Sequence, residues 1–292
     1  SELGVEAKFL ESQTQDDYAP NIQAFLDEGC DIIITVGFLL GDATKEAANA
    51  NPDQPFAIVD FAYGEGEIEN NNVLGLTFAT DQAAFLAGYL AAGMTKTGKV
   101  ATYGGINIPP VTIFMNGFWA GVQKYNEDNG TSVEVLGWDA AKQDGTFTGD
   151  FEDQTKGRQV TEDFLAEGAD IVLPVAGPVG FGTTAALQDS PQDDLAIWVD
   201  TDGCVSASEF CSLFLTSVMK NMDVAVFEAI EQVVEGTFEG GVFVGTLENN
   251  GVGIAPYHEF EDDVPQELKD RIEELRQGII DGSVSADHND YL

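Results

Sequence analysis

A chain of 292 residues with 43% hydrophobic content can bury the cores of about two domains. It contains no run of about 18 apolar residues that would predict a membrane-spanning helix. The net charge of −39, from 51 acidic and 12 basic residues, disfavours nucleic acid and anionic membranes as direct partners. Because the acidic residues are spread along the chain, they indicate a solvated surface that requires salt screening. We therefore expect a halophilic source, in particular a halophilic archaeon.

Strands and helices alternate along most of the sequence, which predicts an α/β fold with parallel sheets. The predicted strands cover 5–10, 31–36, 56–59, 73–78, 99–105, 133–138, 171–175, 195–199 and 213–218. The predicted helices cover 18–28, 43–49, 81–94, 111–126, 182–188 and 267–280, with others near 160–165 and up to 234. Segments 240–248 and 252–255 are predicted to form a hairpin across Asn249-Asn250-Gly251. Small residues in the 81–94 helix, at Ala84, Gly88 and Ala92, should let a neighbouring helix pack closely.

One sequence pattern occurs twice, at 25–38 and at 164–182. Each copy has a helix end, a Gly, an Asp leading into an apolar strand, and then a Gly-containing loop that opens another helix. The carboxyl end of such a strand is where open α/β sheets bind ligands. Two copies predict two similar lobes with a ligand between them; the alternative is one sheet that uses the same local structure twice. We expect one lobe to contain 1–97 and 212–245, and the other 98–211 and 246–292.

Three kinds of residue are candidates for ligand binding. Asp60 and Asp200 end predicted strands and could accept hydrogen bonds from hydroxyl groups, although either could be an ordinary cap or turn residue. Phe151 lies among polar residues before a helix, where it could stack on a planar ligand or act as a hydrophobic staple. Lys220 is predicted to share a buried helical face with Val224 and Phe227. A buried ammonium needs an acceptor, so a carboxylate or ligand should meet it unless the side chain reaches solvent.

Signs of catalysis are weak. The two histidines, His258 and His288, both lie near the C-terminus, and no Gly-x-Ser-x-Gly, P-loop or zinc-type spacing is present. The sequence therefore predicts a binding protein rather than an enzyme, with no cofactor and no metal. Cys204 and Cys211 could form a disulfide, as in an extracytoplasmic protein, or remain two unpaired thiols; Cys30 is interpreted as a small core residue in a strand.

Several stretches in order along nearly the whole chain resemble the basic membrane protein family. They are Val36-Gly37-Phe38-Leu39-Leu40-Gly41-Asp42-Ala43, Phe56-Ala57-Ile58-Val59-Asp60, Ala84-Phe85-Leu86-Ala87-Gly88, Gly117-Phe118-Trp119-Ala120-Gly121-Val122, Phe151-Glu152-Asp153-Gln154-Thr155-Lys156-Gly157, Gly168-Ala169-Asp170-Ile171-Val172, Val199-Asp200-Thr201-Asp202 and Thr216-Ser217-Val218-Met219-Lys220-Asn221-Met222-Asp223-Val224-Ala225-Val226.

The resemblance implies a type I periplasmic-binding-protein fold, in which two α/β lobes are joined by a hinge. It also implies an extracytoplasmic, lipid-anchored receptor that captures a purine nucleoside and presents it to an ABC permease. By motif position, Asp60, Phe151, Asp200 and Lys220 match the family's ligand contacts. Phe151 would stack on the base and the carboxylates would hold the ribose, while Gly177 matches a position that lines the cleft.

Two departures from the family pattern affect the ligand assignment. The chain has no counterpart of the family's opening strand and Asp-Lys-Ser-Phe-Asn-like loop, and we expect that the natural protein carries them and the lipobox cysteine. Pro178 stands in Ala176-Gly177-Pro178-Val179-Gly180 where the family usually has Gly. A sugar-binding transport receptor and a ligand-sensing module of a regulator remain alternatives. A DNA-binding segment would mark the regulator, and the sequence shows none. The protein is expected to be a monomer.

Overall fold

The structure is a computed structural model that describes residues 3–292. In chain order the helices are α1 (Tyr18–Glu28), α2 (Gly41–Ala50), α3 (Thr80–Met94), α4 (Pro109–Asn129), α5 (Gln154–Ala166), α6 (Gly180–Asp189), α7 (Gly203–Ser206), α8 (Met222–Glu235) and α9 (Gln266–Asp281). The strands are β1 (Ile33–Val36), β2 (Phe56–Val59), β3 (Val73–Phe78), β4 (Lys99–Gly104), β5 (Glu134–Leu136), β6 (Trp138–Asp139), β7 (Asp144–Gly145), β8 (Ile171–Val175), β9 (Leu195–Asp200), β10 (Phe214–Lys220), β11 (Gly241–Gly245) and β12 (Val252–Ile254).

By its internal contacts the chain divides into two compact units. Unit 1 contains residues up to 78 together with Met222–Gly245, and unit 2 contains Ala79–Asn221 together with Thr246–Leu292. The sheet of unit 1 has the order β1-β2-β3-β11, and all of its neighbouring strands are parallel. The main sheet of unit 2 has the order β12-β10-β9-β8-β4-β5 and is parallel except for β12, which runs antiparallel to β10. The predicted α/β class with two parallel-sheet lobes is confirmed.

Both copies of the repeated sequence pattern have the same local structure. In unit 1, β1 is followed by a 3₁₀ turn, α2 and β2; in unit 2, β8 is followed by a 3₁₀ turn, α6 and β9. Each turn has a glycine with positive φ at its start. Gly37, with φ 118°, directly precedes the first turn, and Gly177, with φ 51°, is the first residue of the second. Buried threonine hydroxyls also pair in both units, Thr35 of β1 with Thr44 of α2 and Thr161 of α5 with Thr183 of α6, each at 2.8 Å. Each unit therefore has its own version of the same supersecondary structure.

Helices α3 and α4 of unit 2 pack with almost no space between their backbones. A Cβ added to Gly88 would lie 2.1 Å from the carbonyl oxygen of Phe118, and one added to Gly121 would lie 1.9 Å from that of Phe85. Most of α3 is buried around its whole circumference, including Phe85, Leu86 and Leu90 at 0% exposure. The prediction that small residues permit close packing of this helix is confirmed.

Two expectations about the strands are wrong. Segments 240–248 and 252–255 do not pair as a hairpin, because β11 adds to β3 in unit 1 while β12 adds to β10 in unit 2. The turn signal at Asn249-Asn250-Gly251 is real, with φ 58° at Asn250, but each flanking strand has a longer-range partner. Residues 5–10 form no strand, and Phe9 in this segment is 89% exposed.

The expected lobe boundaries also differ from the observed units. Residues 79–97 lie in unit 2, because α3 packs against α4, α9 and the β10–β12 strands. Residues 212–221 lie in unit 2 as well, because β10 pairs with β9 along its length. Cys30 is not in a strand; it follows the end of α1 and is a half-buried free thiol that packs against the unit 1 core.

The basic side chains of this acidic protein are all paired. Each of the 12 lysine and arginine residues has a side-chain nitrogen within 4.0 Å of a carboxylate oxygen. Most of these pairs are exposed, where one pair contributes at most about 1 kcal/mol. Of the helices within residues 3–292, none has the length and apolar character needed to cross a membrane.

Candidate functional site

Lys220 is the last residue of β10, and its side chain is only 7% exposed. Its ammonium nitrogen lies 3.1 Å from Oδ1 of Asp200, which ends the neighbouring parallel strand β9. The prediction that an inward lysine meets a carboxylate is confirmed. The expected buried helical face shared with Val224 and Phe227 is wrong. Lys220 lies in a strand, and Val224 and Phe227 are each 39% exposed in the helix that follows. Lys220 is buried because it ends a strand in which nearly every residue, on both faces, is buried.

Asp60 and Asp200 occupy equivalent positions in the two copies of the repeated structure. Asp60 follows β2 and Asp200 ends β9, and both have a left-handed backbone with φ 67°. The Asp60 N–H donates to the Leu76 carbonyl at 2.9 Å, which continues the pairing of the strand up to this residue. A positive φ is uncommon for a residue other than glycine, and aspartate is among the side chains that tolerate it. In both units the aspartate lies at the carboxyl end of a parallel strand.

Phe151 is half-buried in the loop before α5. Its ring lies against the backbone of Gly105, where an added Cβ would be 2.3 Å from a ring carbon, Cε1. Hydrogen bonds hold the loop in place: Oδ1 of Asp150 accepts the Glu152 and Asp153 N–H groups at 3.0 and 2.8 Å. The Lys156 ammonium, assisted by these N–H groups, lowers the pKa of Asp150 to about 2. The aromatic ring is therefore positioned by the backbone of Gly105 and by a hydrogen-bonded loop.

Gly177 opens the 3₁₀ turn that connects β8 to α6. Its φ of 51° is a conformation that glycine adopts without steric cost, and no heavy atom lies within 4 Å of the position where a Cβ would project. The turn leads into the N-terminus of α6 at Gly180. Pro178, the departure noted in the sequence, occupies an early turn position, where a fixed φ is compatible with the fold.

Four of the five predicted ligand contacts lie at one edge of the unit 2 sheet. Lys220 and Asp200 end β10 and β9, Gly177 follows β8, and Phe151 packs on Gly105 directly after β4. Since β10, β9, β8 and β4 are consecutive and parallel, their carboxyl ends share this edge. It is the edge at which open α/β sheets bind ligands. Asp60 lies at the corresponding carboxyl edge of the unit 1 sheet.

Other features near this edge were less visible in the sequence. Gly105 supports the aromatic ring, and its only sequence signal is that it follows Gly104, the last residue of β4. Cys204 and Cys211 form a disulfide in the segment after β9. His258, distant in sequence, contacts Asp202 at 2.8 Å between Nε2 and Oδ2. No local sequence pattern relates His258 to Asp202.

Comparison with known proteins identifies the family. Residues 1–290 match the Bmp family, described as ABC transporter substrate-binding protein PnrA-like. The chain belongs to the Bmp family. It is 29% identical over 292 residues to the ABC transporter nucleoside-binding protein BmpA of Lactococcus lactis, covering 95% of this chain and 77% of the relative. It is also 29% identical over 300 residues to an uncharacterized lipoprotein of Pyrococcus abyssi, covering 96% and 71% of the two chains.

Solved structures agree with this assignment. An ABC transporter solute-binding protein from Aeropyrum pernix matches with a TM-score of 0.84 and 28% identity, covering 99% of this Bmp chain and 87% of the other. A transcriptional activator of the comK gene from Bacillus halodurans matches with a TM-score of 0.73 and 20% identity, covering 92% and 84%, which shows the shared fold alone. The resemblance seen in the sequence is thus confirmed: the chain is a substrate-binding protein of an ABC transporter with a type I periplasmic-binding-protein fold.

Proposed function

We propose that this Bmp protein captures a nucleoside, most simply a purine nucleoside, for transport. The observation that carries the proposal is the arrangement of Phe151, Asp200 and Lys220 at one carboxyl edge of the unit 2 sheet. An aromatic face, a carboxylate and a buried ammonium match a planar base, a diol and ring acceptors. The Lactococcus relative is named a nucleoside-binding protein, which supports the same ligand class.

Each candidate residue has a distinct proposed role. Phe151 stacks on the base, an interaction worth about 1–3 kcal/mol. Asp200 accepts hydrogen bonds from ribose hydroxyls, and Lys220 orients that carboxylate and donates to a ligand acceptor. Gly177 gives the ligand close access to the backbone. Asp60 of unit 1 is proposed as a further hydroxyl acceptor because it matches the family motif and repeats the left-handed backbone of Asp200.

Calorimetry at molar KCl tests the ligand class. A purine nucleoside should bind with one site per chain, whereas its 5′-monophosphate should bind far more weakly, because its phosphate would lie among the carboxylates of the site while Lys220 is already paired with Asp200. Ribose alone should also bind weakly because it lacks the base that stacks on Phe151. Tight binding of a simple sugar without nucleoside binding would replace the proposal with a sugar receptor.

The sugar receptor is the second candidate. A periplasmic solute-binding protein from Actinobacillus succinogenes with bound D-allose has the same fold, with a TM-score of 0.59 at 14% identity. A regulator's ligand-sensing module is a third, since transcription regulators also have this fold. The family match favours transport over regulation.

We further propose that the protein acts as a monomer outside the cytoplasm, anchored by a lipid, and delivers its ligand to an ABC permease. Relatives from two Pyrococcus species are named lipoproteins, which supports the anchor. The charge of −39 supports a salt-rich environment. Binding alone accounts for the proposed role, and no catalytic step is required of the chain.

A further inference from the structure

Unit 2 contains four potential metal ligands, which are Asp202, Cys204, Cys211 and His258. Cys211 follows Cys204 by seven residues, and His258 follows Asp202 by 56 residues. Asp202 caps α7 through the Cys204 N–H, which donates to its Oδ1 at 3.0 Å. Cys204 lies in α7 and is bonded to Cys211, with the two Cα atoms 4.5 Å apart. His258 begins a 3₁₀ turn far along the chain. One oxygen of Asp202, the Cys204 sulfur and one ring nitrogen of His258 all lie within 4.8 Å of one another.

We propose that reduction of the Cys204–Cys211 disulfide creates a zinc-binding site formed by Cys204, Cys211, His258 and Asp202. In the structure the two sulfurs are bonded to each other, so neither is a thiolate, which is the form that binds metal. The disulfide therefore keeps the site closed. This state suits an oxidising environment outside the cell.

The opening reaction requires a dithiol reductant. It transfers two electrons and two protons to the disulfide: the S–S bond breaks, two thiols form, and the reductant becomes a disulfide. Zinc then binds both sulfurs as thiolates, and their two protons are released to water. Two thiolates, an imidazole and a carboxylate form a four-ligand set typical of tetrahedral zinc, whereas calcium and magnesium prefer oxygen ligands.

The present distances are close to those that zinc requires. Tetrahedral zinc with bonds of about 2.0–2.3 Å has ligand atoms roughly 3.5 Å apart. For Asp202, Cys204 and His258 the observed limit of 4.8 Å therefore has to close by at most about 1.3 Å at each pair, within the range of side-chain rotation. The short segment between the cysteines keeps the separated sulfurs near each other, and Val205 within it is 77% exposed. His258 is 31% exposed, so its ring can turn toward an incoming ion.

The contact between Asp202 and His258 prepares both side chains for the metal. Oδ1 of Asp202 is already engaged by the Cys204 N–H, which fixes the carboxylate and directs Oδ2 toward the imidazole at 2.8 Å. Zinc would replace this hydrogen bond by binding Oδ2 and Nε2. The hydrogen bond from the Cys204 N–H to Asp202 Oδ1 would remain, and a hydrogen bond to a ligand of this kind typically supports metal affinity.

Cobalt titration of the reduced chain tests the proposal, because cobalt reports thiolate ligands by an intense ultraviolet charge-transfer band. The protein is reduced with a dithiol, desalted without oxygen and titrated with Co²⁺ in molar KCl. We expect one equivalent to produce the band and one equivalent of Zn²⁺ to remove it. The unreduced chain should show no band, and thiol titration of its denatured form should find one thiol, that of Cys30.

The chain offers matched controls for both ligand types. Cys211→Ser and His258→Ala should each weaken metal binding by at least about tenfold. Cys30→Ser and His288→Ala should leave it unchanged, because Cys30 lies in unit 1 and His288 contacts Gln143 instead. Alkylating the reduced wild-type chain with iodoacetamide blocks the thiolates without a sequence change and should abolish the cobalt band. The test therefore does not depend on whether a variant folds.

Three outcomes would overturn the proposal. They are equal cobalt spectra for the reduced and unreduced chains, a band that persists unchanged in His258→Ala, or a band that disappears in Cys30→Ser. Carboxylates elsewhere on this acidic surface would bind Co²⁺ without a thiolate band, and the unreduced chain measures that background.

Discussion

The Lys220 ammonium lies 3.1 Å from Asp200 Oδ1, although Lys220 is almost fully buried and Asp200 is 35% exposed. The pair therefore connects the interior of the unit 2 sheet to its carboxyl edge. Because the carboxylate is the more exposed partner, a ligand can reach it while the lysine supports it from below. Removing the lysine should leave Asp200 free to rotate and without its neutralising charge.

Lys220→Met should weaken nucleoside binding at least tenfold, or about 1.4 kcal/mol. Methionine keeps most of the buried volume but removes the charge and its hydrogen bonds. Calorimetry at molar KCl measures the loss. Lys142→Met is the matched control, because Lys142 pairs with Asp139 on the surface and should not affect affinity. Unchanged affinity in Lys220→Met would show that the pair is structural only.

Phe151→Ala should also weaken nucleoside binding about tenfold, since stacking on an aromatic ring contributes about 1–3 kcal/mol per base. Phe151→Tyr keeps the flat face and should retain most of the affinity. Phe9→Ala removes a phenyl ring that is 89% exposed and serves as the control. Equal affinities for Phe151→Ala and the wild type would assign Phe151 to packing on Gly105 alone.

The sequence predicted most of the fold because its strongest signals are local. The strand at Phe56–Val59 and the helix at Tyr18–Glu28 have the predicted limits, since apolar runs and glycine stops define them. The hairpin prediction failed because the turn signal at 249–251 does not specify which strands its flanks will join. The helical prediction for Lys220 is wrong because only Asn221 separates the end of β10 from the start of α8.

The candidate site was predictable to a different degree at each position. Asp60 and Asp200 stand at strand ends that apolar patterns reveal, so their location followed from local sequence. The support of Phe151 by Gly105 joins residues from two elements, and the Asp202–His258 contact joins residues 56 positions apart. Such contacts depend on tertiary packing, which the periodic pattern of a single sequence does not reveal.

Gly121→Ala should destabilise unit 2 strongly. Its Cβ would lie 1.9 Å from the Phe85 carbonyl oxygen, so α3 and α4 would have to separate. Overpacking of this kind costs about 1–3 kcal/mol or more in free energy of unfolding. Urea denaturation at molar KCl measures it. Gly253→Ala is the control, because its Cβ would meet only a methionine methyl carbon at 3.7 Å. Similar midpoints for both variants would contradict the close helix contact.

Asp81→Asn should stabilise the protein more at pH 8 than at pH 5. Burial raises the Asp81 pKa from 3.8 to about 6, and within residues 3–292 its Oδ1 is buried without a hydrogen-bond partner. The unfolded carboxyl ionises at lower pH than the folded one, so this group's penalty grows as pH rises from about 4 to 6 and is full above that range. The difference between the two pH values should be about 1 kcal/mol or more.

Denaturation of the wild type and the variant at both pH values separates the contribution of Asp81 to the free energy of unfolding from that of other titrating groups. Asp42→Asn is the matched control, because Asp42 also lies in the first turn of a helix but is exposed. A gain from Asp81→Asn that is the same at pH 5 and pH 8 would contradict a raised pKa.

Folding should require salt. Since every basic side chain is already paired, the remaining carboxylates repel one another with no further cation of the chain to offset them. Raising KCl to about 1 M shortens the screening length to about 3 Å and should restore the native state. Circular dichroism from dilute buffer to molar KCl follows the transition. A full native signal in dilute buffer without ligand would show that the core tolerates the charge unaided.

The excess of carboxylates also makes the protein a polyelectrolyte toward small ions in solution. Each chain at pH 7 carries 39 uncompensated negative charges, so the fixed-charge concentration is 39 times the protein concentration. Across a dialysis membrane in dilute buffer, this charge would create a Donnan potential that concentrates cations beside the protein and excludes anions. A nucleotide would then seem to be rejected, and a basic ligand accepted, before any binding site was involved. Only in concentrated salt does ligand partitioning across the membrane report the chemistry of the site.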